Sequence, residues 1–140
     1  MLFRSGHTFS GYPLGCAVGA EMIRVIEDEG LLANAAAMGD RLRHGVERIA
    51  AATPHVGDVR GRGLLVGIEL VEDRDGLEPR SGATARVVGA ARDRQLMIYG
   101  CATRVGVRVM EAVMLAPPLN VTEADVDLIL ERLEGAIDAA

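Results

Sequence analysis

Apolar residues return along this chain in two rhythms. Leu14, Val18, Met22, Val25 and Ile26 recur at steps of three and four, which draws one stripe along a helix. Pro13 suits the first turn of that helix, where a missing N–H costs nothing. Gly30 suits its end as a left-handed cap. Gly15, Ala17, Gly19 and Ala20 keep the helix slim enough to approach another backbone, while Glu27, Asp28 and Glu29 sit at the wrong end for its dipole. A second stripe, Ala35, Gly39, Leu42, Val46 and Ile49, predicts a helix over residues 32–52 that Thr53-Pro54 stops.

The rhythm then changes to two. Residues 56–60 read as a short strand, Gly61-Arg62-Gly63 as a tight turn, and residues 64–71 as a strong strand. In that strand Val66, Ile68 and Leu70 alternate against Leu65, Gly67 and Glu69. Residues 72–82 form a polar loop, and 83–95 a helix with Val87, Ala90 and Ala91 inward. Short strands follow at 96–99, 107–110 and 112–116, with a turn over 100–106. Pro117-Pro118 ends the last of them. Thr122 and Asp125 have the spacing of a capping box, and they open a helix that carries Val126, Ile129, Leu130, Leu133 and Ile137 on one face. This order predicts an α+β fold, with helices packed on a small, mostly antiparallel sheet.

Composition narrows what such a domain does. At 140 residues the chain has the size of one domain, and its 49% apolar fraction is enough for a core. The aromatics are only Phe3, Phe9, Tyr12 and Tyr99, so that core is aliphatic. Few aromatics and a net charge of −5 argue against a nucleic-acid partner. All 15 basic residues are arginine. A chain without lysine cannot build a Walker-type phosphate loop or form a lysine Schiff base with a carbonyl compound. Cys16 and Cys101 have neither metal-ligand spacing nor a framework count, which points to a reducing, cytoplasmic setting. The uncharged run 5–20 is broken by His7, Ser10, Gly11 and Pro13, so it reads as neither a membrane span nor a signal peptide.

Most chemistry-bearing letters have ordinary explanations. Gly61-Arg62-Gly63 fails as a dinucleotide fingerprint, because the next glycine is Gly67 and a strand follows it. His7, His44 and His55 have no mutual metal spacing, and His44 falls on the outer face of its helix. No serine occupies a nucleophile elbow. Two features remain. In Gly6-His7-Thr8-Phe9-Ser10-Gly11-Tyr12-Pro13, glycines allow close backbone approach, hydroxyls can donate to an anion, and a helix start follows. The same letters also fit an ordinary Ser N-cap with turn glycines. The second feature is the set Arg60, Arg62, Arg104 and Arg108 around the short strands, readable as a carboxylate clamp or as solvated surface.

Three blocks carry a family resemblance. HTFSGYPLGCAVGAEMIRVIEDEGL, GDVRGRGLLVGIELV and MLAPPLNVTEADVDLILERL, in this order, resemble the C-terminal portion of the class III pyridoxal-phosphate-dependent aminotransferases. The resemblance covers nearly the whole chain from about residue 5 onward. It implies the small C-terminal domain of a fold type I enzyme, with residues 1–12 as a cofactor-phosphate loop and lead-in, and 13–140 as the small domain with its connecting helix. The family's threonine in this loop reaches across a homodimer to the pyridoxal phosphate of the other subunit. Thr8 matches it, with His7 beside it. The family's Schiff-base lysine lies upstream, so the resemblance places no catalytic residue and no metal ligand here. Met1-Leu-Phe-Arg does not resemble a family start, and the natural frame is expected to begin earlier.

The implied activity is transfer of an amino group from an amine or amino acid to a keto acid, with the 140 residues alone inactive. Where many amine-using members carry an arginine for the substrate carboxylate, this chain has Tyr99 or Gly100, followed by a longer turn. Tyr99 and Arg104, or else Arg108, are the candidate substrate residues. The same blocks would suit an aminomutase or racemase on this scaffold. A full-length frame starting at Met1 would instead suit a non-catalytic helix–sheet interaction module.

Overall fold

The computed structural model describes residues 6, 8–106 and 108–140, except for the side chains of Val105 and Arg108. Four helices are ordered around two small sheets: α1 (Pro13–Asp28), α2 (Leu31–Ala52), β1 (Val56–Arg62), β2 (Leu65–Leu70), α3 (Ala83–Asp93), β3 (Tyr99–Gly100), β4 (Thr103–Val105), β5 (Arg108–Met110), β6 (Ala112–Leu115) and α4 (Glu123–Asp138). The main sheet runs β1-β2-β6-β3 with every pairing antiparallel, and β4 pairs with β5 as a separate ribbon. This is the α+β arrangement that the residue pattern predicts.

The alternation in β2 decides which face of the sheet is covered. Val66, Ile68 and Leu70 are buried there, joined by Val113 and Leu115 of β6. Leu42, Val46 and Ile49 of α2, Val87 and Ala91 of α3, and Val126, Leu130 and Leu133 of α4 complete one aliphatic core. Backbones approach closely where glycines permit it. A Cβ on Gly39 of α2 would stand 2.3 Å from the backbone of Gly63, and one on Gly45 would stand 2.2 Å from Leu130 of α4. Gly63 is in the left-handed region at φ 56° as the chain turns from β1 to β2.

Local signals set the helix ends. Gly30 is left-handed at φ 63° between α1 and α2. Thr122 and Asp125 form both bonds of the expected capping box on α4. Asn34 of α2 donates to the carbonyls of Leu119 and Val121, which fastens the stretch after Pro117-Pro118 to that helix. Gln95 ends α3 at φ 60°, and the N–H of Leu96 closes back on the carbonyl of Ala91 at 2.8 Å.

Three expectations need correction. β1 continues through Gly61 and Arg62, opposite Val66 and Leu65, so the turn begins after them. The strand expected at 96–99 is reduced to Tyr99–Gly100, because the left-handed Gln95 and the inward Leu96 delay pairing with β6. The turn expected over 100–106 contains β4, whose Thr103 and Arg104 pair with Met110 and Val109.

Candidate functional site

The loop before α1 is built from turn chemistry. The N–H of Tyr12 donates to the carbonyl of Phe9 at 3.1 Å, and Gly11 lies between them at φ 76°, in the conformation a type II turn asks of its third residue. The rings of Phe9 and Tyr12 meet edge to face with centroids 6.5 Å apart. Thr8 lies just ahead of this turn and is exposed. The helix then begins on Tyr12 as N-cap and Pro13. The Tyr12 side chain makes no cap bond, and no acidic residue occupies the first turn. Tyr12, not a serine, therefore occupies the N-cap position. A helix start whose N-cap residue makes no side-chain bond leaves N–H groups of the kind an anionic oxygen accepts from. His7, the other residue expected to serve the cofactor, lies outside the described residues.

The second part of the site is the ribbon β4–β5. It leaves the main sheet after Gly100 and stands over the sheet face opposite the helices. Cys101, Thr103 and Met110 from its stems, with Gly67, Ala112 and Met114 from the sheet, line a mostly apolar cavity of 430 Å³. Tyr99 of β3 is 66% exposed, and Arg104 is exposed on the ribbon. Tyr99 pairs with Met114 of β6, and Arg104 pairs with Val109 within the ribbon. Arg60 is not a free clamp, since it pairs with Glu69 across the strands and with Asp58 at 3.2 Å. The side chain of Arg108 lies outside the described residues.

One group stands out that spacing rules miss. Glu111, between β5 and β6, is only 6% exposed, and its two oxygens accept from the N–H groups of Gly82 and Thr84 at 3.0 Å each. Burial pushes this carboxyl up, but the Thr84 hydroxyl, the two N–H groups and the Arg86 charge outweigh it and hold Glu111 below the usual carboxylate range. The available signal was an acidic letter inside the apolar run VMEAVML. The remaining candidates stay ordinary. His44 is exposed, as expected, and His55 Nδ1 lies 2.8 Å from the carbonyl of Glu72. Among the described residues no cluster could hold a metal ion, and no helix is long and apolar enough to cross a membrane.

Comparison with known proteins agrees with the resemblance read from the three blocks. Residues 2–137 match the family model "Aminotransferase class-III". The chain is 42% identical to the taurine–pyruvate aminotransferase of Bilophila wadsworthia over 135 residues, which are 96% of this chain and 29% of that one. An aminotransferase structure from Bacillus anthracis superposes with a TM-score of 0.88 at 35% identity, over 99% of this chain and 31% of that one. The omega transaminase of Pseudomonas jessenii, solved in complex with PMP, gives 0.81 at 35% identity, over 96% and 28%. The chain therefore spans less than a third of the length of the curated relatives it matches. Block order, fold and family model agree: this chain belongs to the class III aminotransferases.

Proposed function

We propose that this chain supplies the cofactor-phosphate loop (residues 1–12) and the small domain (13–140) of a pyridoxal-phosphate-dependent aminotransferase. The enzyme moves an amino group from an amine or amino acid to a keto acid, as a cytoplasmic homodimer. When bound, the cofactor supplies the electron sink for the chemistry at the substrate carbon. The residues present fit its phosphate end: Thr8 donates a hydroxyl and the start of α1 donates N–H groups, toward the partner subunit's cofactor. They do not fit its aldehyde end, since all 15 basic residues are arginine. The 140 residues are therefore inactive alone. Tyr99 and Arg104 form one wall of the substrate pocket, where the exposed guanidinium can pair with a keto-acid carboxylate.

The observation that carries this reading is that Tyr12, the N-cap of α1 four residues after Thr8, makes no side-chain cap. In the active enzyme, Thr8→Ala is expected to weaken pyridoxal phosphate binding about tenfold or more, the range of one hydrogen bond to a charged group. Thr8→Ser should keep most of it, and equilibrium dialysis reads both. Unchanged affinity in Thr8→Ala sinks the assignment. Transamination by the purified 140-residue chain would overturn its inactivity. Turnover that needs no added amino acceptor would move the reading to a mutase or racemase.

A further inference from the structure

We propose that Glu111 is a positioning residue that fastens both stems of the β4–β5 ribbon to the start of α3, and so sets the pose of the segment carrying Tyr99 and Arg104. Helix α3 has Gly82 as its N-cap, with no side-chain cap of its own and no acidic residue in its first turn. Glu111 brings that cap from the sheet. One carboxylate oxygen takes the N–H of Gly82 and the other that of Thr84, both at 3.0 Å. A carboxylate at a helix start is the favourable sense for the dipole.

The neighbouring contacts extend the joint to the other stem. The Thr84 hydroxyl oxygen accepts from the N–H of Ala112 at 3.1 Å and lies 3.3 Å from its carbonyl. That carbonyl takes the N–H of Cys101, at 2.8 Å, where the ribbon leaves the sheet. Gly100 fits beneath Thr84 so tightly that a Cβ there would lie 2.9 Å from the threonine methyl. The Glu111 carbonyl accepts from the N–H of Leu70 at 2.8 Å, so the anchor is tied to the central strand as well.

Departure point and return point are thus held by one buried carboxylate and one threonine. The excursion between them is a two-stranded ribbon, which is marginal without support. Its pose over the 430 Å³ cavity is therefore inherited from its stems. Among the described residues the charged groups facing Glu111 are Arg86 from α3 and Glu78 from the preceding loop. Since the folded state holds this carboxyl below its ordinary value, the anchor is complete above the usual carboxylate range and is lost as pH falls through the lowered value.

The test is amide hydrogen exchange on the 140-residue chain, paired with kinetics in the active enzyme. Glu111→Gln keeps the shape but puts an NH2 group against one of the two N–H donors. It is expected to speed exchange across residues 99–112 about tenfold at neutral pH, with α2 and α4 nearly unchanged. In the wild type, protection of the ribbon should follow one carboxylate titration that is missing from Glu111→Gln, and Glu111→Asp should restore part of it. Unchanged ribbon exchange overturns the proposal, as does loosening that spreads equally to α2 and α4. The consequence for catalysis rests on the substrate reading above: KM should rise several-fold with kcat nearly constant. A loosened ribbon with unchanged KM leaves the anchor standing and overturns Tyr99 and Arg104 as substrate positions.

Discussion

Helices α1 and α2 show the same periodic spacing of apolar residues, yet only one of them is packed. In α2, Leu42 and Val46 are 0% and 1% exposed beneath the sheet. In α1, Leu14, Val18 and Met22 are 62%, 56% and 54% exposed, and no residue of the helix is buried. Periodicity of 3.6 predicts the helix and the face that wants a partner. It does not predict that the partner lies within these residues. Only Val25 and Ile26, next to the Gly30 turn, are half covered. A helix of 16 residues with so little packing is marginal in water on its own.

Matched truncations give this comparison its largest expected effect. Leu42→Ala should cost about 2–5 kcal/mol, the transfer energy of the lost atoms plus the cavity left between α2 and the sheet. Leu14→Ala should fall within about 0.5 kcal/mol of wild type in the same chain, since the side chain is already in water. Urea denaturation of the 140-residue chain reads both. A cost for Leu14→Ala near that of Leu42→Ala would mean that α1 is packed in solution, and the contrast would be lost.

A smaller effect comes from the close approach of α2 to the β1–β2 turn. Ala on Gly39 would place its Cβ 2.3 Å from the Gly63 backbone, and backbone cannot swing aside as a side chain can. We expect Gly39→Ala to destabilise by about 1–3 kcal/mol although alanine is the better helix former. A midpoint equal to wild type would mean that the helix and the turn have room to separate.

The sequence pattern was reliable where burial and periodicity coincide. The inward stripe of α2, the alternation of β2 and the capping box of α4 appear as read, because each is a local pattern answering to one packed face. It was less reliable where tertiary pairing overrides local preference. β4 lies in a stretch, Cys101–Ala102–Thr103–Arg104, that reads as a turn and becomes a strand only through its partner β5. Glu111 was visible as an acidic letter, but its partners are 27 and 29 residues away, a distance no spacing rule spans. In the candidate site, the motif singles out Thr8 as an expectation. The structure adds that Tyr12, with no capping side chain, opens the helix behind it.

The smallest effect has the opposite sign in the other helix. Gly19 lies in mid-α1, and a Cβ there would meet nothing within 4 Å. Alanine is the better helix former by about 0.8–1 kcal/mol at an exposed interior position. Gly19→Ala should therefore raise the helicity and amide protection of α1 in the 140-residue chain, while the denaturation midpoint of the α2–sheet core stays in place. The same substitution in the assembled enzyme separates two explanations of the exposed face. If another backbone seats against Gly15, Ala17, Gly19 and Ala20, the added methyl obstructs it, and Gly19→Ala changes from stabilising to destabilising. If α1 stays in water there too, the gain persists. A gain of equal size in both settings would show that the small-residue face serves no close contact, and would leave the helix start that follows Thr8 as the functional part of α1.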